Sequence, residues 1–412
     1  MPNSTRRVLV ASLAGTTIEF FDFYIYATAA VLVFPAQFFP RSDATAATLN
    51  SLATLALAFL ARPIGSLIFG HFGDRLGRKV TLVTALLTMG LSTFAIGLLP
   101  TYAKIGVLAP LFLAFCRVGQ GIGLGGEWGG AVLLATENAP PGKAAWYGMF
   151  PQLGAPLGYI LSGGIFLILS AALTNEQFLS FGWRLPFLAS SALVWIGLYV
   201  RLKLTETPAF TAAMEKSERV KFPIWDLCGR HLRALILGTL SAFSAFVIFY
   251  ILSVFTLSWA TSHLGYTRSG FLRMQLVGMI FFAGAIVWGS RWAESRGRRR
   301  VLIISNAGVL LFGLIFGPLF GAGTGGALGV LIIGFVLMGL NYGPLGTFLA
   351  ELFPTAVRYT GASMTFNVAG ILGASATPIL AVTIAQHLGV AWVGYYLAAS
   401  AAVTLAALMA VG

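Results

Sequence analysis

GHFGDRLGRK, Gly70 to Lys79, is a charged, glycine-studded loop set between two long apolar runs, and it returns in worn form as AESRGRRR, Ala293 to Arg300. Asp74 and Glu294 stand 220 residues apart in a chain of 412, so the sequence repeats itself at about half its length.

The runs on either side of the loop set the class. Of all residues 58% are hydrophobic and only 9% are charged, with a mean hydropathy of +0.86. That is too apolar for a water-soluble domain. A span needs roughly 20 apolar residues, and twelve candidates begin near Val8, Leu49, Val80, Leu108, Ala144, Trp183, Leu232, Gly270, Val301, Leu328, Gly361 and Val390. The expected fold is an all-α membrane protein with twelve transmembrane helices in two six-helix halves. The longest polar stretch, RLKLTETPAFTAAMEKSERVKFPIWDLCGRHLR, marks residues 201–233 as a cytoplasmic linker between a half at 1–200 and a half at 234–412. A second echo supports the duplication: ENAPPGKAAWYG, from Glu137, and ELFPTAVRYTG, from Glu351. Parallel repeats of this kind place a substrate site at their interface near the bilayer midplane, and the duplication points to a transporter.

MPNSTRR followed by an apolar run mimics a secretion signal, but Glu19 and Asp22 inside the run make it an uncleaved first helix. At the other end, the stop at Gly412 inside an apolar run points to a longer native chain. The net charge of +13 does not imply a nucleic-acid partner, because nineteen of the 26 basic residues fall on one side of the inferred topology. That is the positive-inside bias, and it puts both termini in the cytoplasm. Cys116 and Cys228 offer no disulfide framework, and four scattered histidines without HExxH, CxxC or a phosphate-binding lysine loop imply no metal and no cofactor. Gly121, Gly123 and Gly126 spell GxGxxG, but no strand precedes them. Together with GAPLGYILSGG further on, these glycines are expected to let helices approach closely. No nucleophile and base constellation suggests an enzyme.

GDRLGRK, RVGQGIGLGGEWGGAVLLATENAPP, WRLPF, ETPAF and ELFPTAVRYTG occur in that order. They resemble the metabolite:proton symporter group of the major facilitator superfamily, over nearly the whole chain. The resemblance implies alternating access in a bacterial inner membrane by a monomer that carries small organic acids or zwitterions with protons; citrate, 2-oxoglutarate, shikimate, proline and betaine are examples. It also implies a cytoplasmic latch, with Asp74 against Arg78 and Glu294 against Arg298, near Glu137, Glu351 and Arg358. The alternative is a solvated anchor without a gating role.

Glu19, Asp22 and Tyr26 share one face of the first helix. A carboxylate at span centre costs on the order of 3 kcal/mol and usually marks an ion path or a paired interior. On the fourth helix Arg117, Gln120, Leu124 and Glu127 form a stripe. Asp22 should lie about 21 Å from the inner edge and Arg117 about 11 Å from the outer edge of a core about 30 Å thick, so their depths match. Related sugar porters pair a first-helix Asp with a fourth-helix Arg, and the expectation is an Asp22–Arg117 ion pair broken by protonation of Asp22. Glu19 is the rival proton carrier, a permanently ionised bridge is the structural alternative, and Glu127 is matched with Arg62. The substrate contacts expected are Tyr26, Gln120, Glu127, Gln152, Tyr250, Asn341, Tyr342 and Asn367. The reading is a proton-coupled importer; a proton-coupled exporter and a non-transporting sensor are its rivals.

Overall fold

The computed structural model describes residues 5–40, 43–76, 78–202, 227, 229–354 and 357–411, with side chains left undescribed at 5–8, 70–82 and 200–202. Most of the linker expected at 201–233, and the side chains of Asp74 and Arg78, therefore lie outside the described residues.

Twelve long helices account for nearly all of the described chain. They are α1 (Thr5–Leu32), α2 (Ala44–Leu76), α3 (Arg78–Leu98), α4 (Leu108–Glu137), α5 (Ala144–Ala172), α6 (Arg184–Leu202), α7 (Leu232–Ser262), α8 (Arg268–Arg296), α9 (Arg298–Phe320), α10 (Gly323–Glu351), α11 (Arg358–Leu388) and α12 (Val390–Ala410). Among the described residues nine helices are long and apolar enough to cross a membrane, and the bent pair Asn175–Gly182 with Arg184–Tyr199 makes a tenth. The first helix runs unbroken through Glu19 and Asp22, burying both.

The duplication reappears in the packing. Helix α1 lies along α5, α2 along α4 and α3 along α6; α7, α8 and α9 pack in the same way against α11, α10 and α12. Gly297, at φ 87°, is the single residue between α8 and α9 and sits 220 positions after Gly77. A side chain there would strain the backbone, which accounts for the glycine at this turn of the second copy.

The α2/α4 and α1/α5 contacts are made by backbone approach. A Cβ on Gly121 would stand 2.3 Å from the Ala58 carbonyl oxygen, and one on Gly125 would stand 2.0 Å from that of Arg62. On α5, Gly154 and Gly158 meet Thr16 and Phe21 of α1 in the same way. In a lipid solvent, where apolar burial does not drive helices together, such approach gains dispersion contact. Besides the π-helical turn at Phe178–Gly182 that leads into α6, two lie inside long helices: one at Ile251–Phe255 within α7 and another at Ile371–Ser375 within α11. α1 corresponds to α7 and α5 to α11, so the two turns occupy the second repeat's counterparts of the tightly packed α1/α5 pair.

Candidate transport site

The buried charges gather between α1, α2, α3, α4 and α6. Asp22 is 1% exposed; its Oδ1 accepts a 2.5 Å hydrogen bond from Ser190 on α6, and its Oδ2 accepts one of 3.1 Å from Thr93 on α3. The Thr93 hydroxyl oxygen accepts from Gln120 Nε2 at 2.7 Å, and Gln120 Oε1 accepts from Arg117 Nη1 at 2.8 Å. The expected direct ion pair is thus replaced by a chain, Asp22 to Thr93 to Gln120 to Arg117. The reason is steric: the Arg117 guanidinium lies over the rings of Tyr26 and Phe23, 4.0 and 4.4 Å from their centroids, and points one end at Gln120. Its Nε and Nη2 are buried and have no hydrogen-bond partner. Tyr26 is held in place by donating to Thr54 at 2.6 Å.

Nothing in the sequence singles out Thr93 or Ser190. Hydroxyls in spans usually bond their own helix's carbonyls, as Thr88 and Ser92 do here. Only tertiary contact distinguishes Thr93. Its single hydroxyl hydrogen has a second acceptor, the Met89 carbonyl at 3.0 Å, besides Asp22.

Arg62 forms the other cationic centre, over Phe59 and Phe23 at 4.6 and 4.9 Å. Arg62 and Glu19 both lie within electrostatic reach of Tyr342 on α10. Tyr250 packs edge-on to Phe59 at 5.7 Å, within reach of both arginines. Glu127 is 2% exposed at the break in α4 between Leu124 and Trp128. Gln152 joins the repeats: it donates to the Tyr342 carbonyl at 2.9 Å and accepts from Trp128 Nε1 at 3.1 Å. Asn341 is fully buried, and neither its Oδ1 nor its Nδ2 has a partner. Asn367 differs from the expectation of a cavity-lining side chain, because its Nδ2 is spent on Ser66 Oγ at 3.1 Å and the Gly125 carbonyl at 3.3 Å.

That contact belongs to a closure at the end of the bundle bearing the 70–79 loop. Tyr359 donates to the Gly126 carbonyl at 2.6 Å, and Trp128 stacks on Phe366 with centroids 3.6 Å apart. Glu294 Oε1 accepts from the Trp146 backbone N–H, in the first turn of α5, at 3.0 Å. Nearby, Arg298 pairs with Glu351 at 3.4 Å, within reach of Glu294 and Arg358, while Arg358 also donates to the Phe353 carbonyl. Glu137 is exposed. At the opposite end Arg268 donates to Asn175 Oδ1 at 3.0 Å and Gln386 donates to Thr45 at 3.1 Å. Contacts between the repeats thus cross both ends of the bundle, with the charges buried between them.

A twelve-helix bundle of paired repeats with charges buried in the first of them defines a secondary transporter of the major facilitator fold. The chain belongs to the sugar (and other) transporter family, whose model matches it twice, over residues 7–222 and 222–410. It is 54% identical over 413 residues to the inner membrane metabolite transport protein YhjE of Escherichia coli (strain K12), covering 99% of this chain and 94% of that protein. It is 35% identical to the shikimate transporter of the same organism, over 94% of this chain and 89% of that one. A crystal structure of a D-xylose-proton symporter superposes with a TM-score of 0.76 at 17% identity, over 99% of this chain and 97% of the other. The protein is a multi-pass membrane transporter of metabolites and not an enzyme.

Proposed function

We propose that the protein is a proton-coupled symporter that imports a small organic acid across a bacterial inner membrane, with both termini in the cytoplasm. Residues 1–200 and 234–412 would rock about the buried site, joined by the cytoplasmic linker at 201–233. The inner-membrane and shikimate relatives support the location and the acid, and the D-xylose-proton symporter supports coupling to protons.

The observation that carries the reading is the unpaired edge of Arg117. Nε and Nη2 form the side of a guanidinium that binds a carboxylate through two parallel hydrogen bonds, and both are buried without partners. A buried donor pair is costly to leave unmade, so the edge fits a carboxylate ligand. Asn341, with both amide atoms unmatched, is suited to hydroxyl or carbonyl groups on the rest of the same ligand. The faces of Phe23, Tyr26 and Phe59 are already covered by guanidinium groups, which favours an acid over the quaternary ammonium of a betaine.

The chain from Asp22 to Arg117 couples proton to ligand. When Asp22 is ionised, the Thr93 hydrogen points to it; when Asp22 holds a proton, Thr93 turns that hydrogen to Met89. Gln120 and Arg117 sit on the other side of the same hydroxyl, so the proton state of Asp22 reaches the group that binds the carboxylate. A thermal-shift screen of hydroxy and keto acids and betaines identifies the ligand on purified protein. Proteoliposome uptake of that ligand should then be concentrative when the outside is acidic, and Asp22→Asn should retain exchange but lose concentration. Concentrative uptake by Asp22→Asn, or uptake driven only by an acidic interior, refutes the proposal.

A further inference from the structure

A cavity of about 750 Å³ opens at the end of the bundle where α8, α9, α10 and α12 meet, well away from the buried charges. Its rim carries Arg296, Arg298, Arg299 and Arg300, and its floor is apolar, formed by Ile303, Ile304, Phe348 and Leu352. Glu351 is the one carboxylate in the wall, and it faces Arg298. Arg299 is committed to the Leu408 and Met409 carbonyls at the end of α12. Among the described residues no carboxylate pairs with Arg296 or Arg300, and Arg298 Nε is buried without a partner. The first N–H groups of the 23-residue helix α9 also open here, with no side chain capping them.

The depth of the cavity is marked by aromatic residues. Trp288 and Trp292 stack at 6.0 Å on the last turns of α8, Trp288 being 60% exposed. Such rings sit at the headgroup level, and Arg296 follows Trp292 by one turn. The arginine rim therefore lies at the phosphate layer while Ile304, half exposed, faces the acyl region.

We propose that this cavity is a binding site for the phosphate headgroup of an anionic phospholipid, taken from the leaflet at this end, which is the cytoplasmic one in the topology proposed above. Arg296 and Arg300 hold the phosphate oxygens, the start of α9 adds its N–H groups, and one acyl chain leaves along Ile303 and Ile304. Glu351 stays neutralised by Arg298, so the site keeps an excess of positive charge. Because Glu351 and Arg298 border the Glu294 contact to Trp146, an occupied site bears directly on the closure at this end.

Native mass spectrometry of the full chain in an uncharged detergent tests the proposal, with phosphatidylglycerol, phosphatidylcholine and inorganic phosphate titrated in turn. The intact protein should retain one phosphatidylglycerol in preference to phosphatidylcholine. Arg296→Gln with Arg300→Gln should weaken that retention about 10- to 30-fold. Arg296→Lys with Arg300→Lys should restore most of it, and Arg273→Gln, on the first turns of α8 at the opposite end, should leave it unchanged. The single variant Arg300→Gln, with roughly half the effect on a logarithmic scale, serves if the double variant does not fold. Equal retention by intact protein and the Gln variants, or equal loss with Arg273→Gln, overturns the site. Displacement of the lipid by inorganic phosphate at equal concentration overturns the lipid as its occupant.

Discussion

Replacing Glu294 should open the closed end of the bundle that bears it. Its Oε1 receives the Trp146 N–H at 3.0 Å, so a carboxylate of α8 caps the first turn of α5 in the other repeat. A hydrogen bond to a charged group contributes about 1.5–3 kcal/mol and a carboxylate at a helix N-terminus about 0.3–1 kcal/mol at an exposed site. Glu294 is partly exposed, so a discounted total of about 1–2 kcal/mol is appropriate. Since 1.4 kcal/mol is a factor of ten, Glu294→Ala should move the ratio of closed to open forms by about 5- to 30-fold. Glu294→Gln keeps an acceptor oxygen and loses only the charge, so its shift should be several-fold smaller. Spin labels at Lys143→Cys and Ser295→Cys, both exposed and on opposite repeats, report the separation by double electron–electron resonance in nanodiscs, with Cys116 and Cys228 replaced. A longer-distance population should grow in the order intact, Gln, Ala. Identical distance distributions in all three proteins would refute the latch.

Three further outcomes follow from the geometry. Gly121→Ala places a Cβ 2.3 Å from the Ala58 carbonyl oxygen and should destabilise the protein by about 1–3 kcal/mol or more, whereas Gly164→Ala, with open space around it, should be neutral or stabilising by up to about 1 kcal/mol; thermal unfolding in detergent compares them. Thr93→Val preserves volume but leaves Asp22 and Gln120 each one hydrogen bond short, and should cut proton-driven uptake by about tenfold or more, while Thr93→Ser should not. Uptake of a monocarboxylate should follow the pH gradient and ignore the membrane potential, which a potassium and valinomycin clamp measures directly.

The repeat, the spans and the glycine contacts were legible because each rests on a local pattern: a charged loop repeated at fixed separation, apolar length, and small residues in line on one helix. The depth match of Asp22 and Arg117 was legible for the same reason, being arithmetic on helix rise. The direct pair was not, because two neutral side chains interpose, and Thr93 looks in sequence like any hydroxyl bonding its own backbone. Asn367 misled in the opposite direction. A polar residue in a span must find a partner, but sequence does not reveal that the broken α4 offers it the Gly125 carbonyl. The π-helical turns left no trace either, since what sustains the first is a distant side chain: Gln275 Nε2 donates to the Leu252 and Ser253 carbonyls at 3.0 and 2.8 Å.

The division of labour between the repeats follows from where charge is buried. Among the described residues the buried carboxyl and guanidinium side chains are those of Glu19, Asp22, Arg62, Arg117 and Glu127, all on α1, α2 and α4. With every acid ionised this cluster carries one excess negative charge, and one proton neutralises it. A bound monocarboxylate adds another negative charge, which a second proton offsets. Uncompensated charge is expensive in the bilayer, so the empty carrier should return with one proton and the loaded carrier cross with two, a net exchange of one proton per substrate and no net charge. The second repeat buries only neutral polar groups, chiefly Gln275, Asn306, Asn341 and Asn367, and holds both long-helix π turns. Its interior is therefore free to bend without moving charge through lipid. The bond from Tyr159 of α5 to Gln275, 2.8 Å long, ties the first such turn to the repeat that holds the charge, so a shift of α5 against α1 bears on the segment of α7 best able to flex.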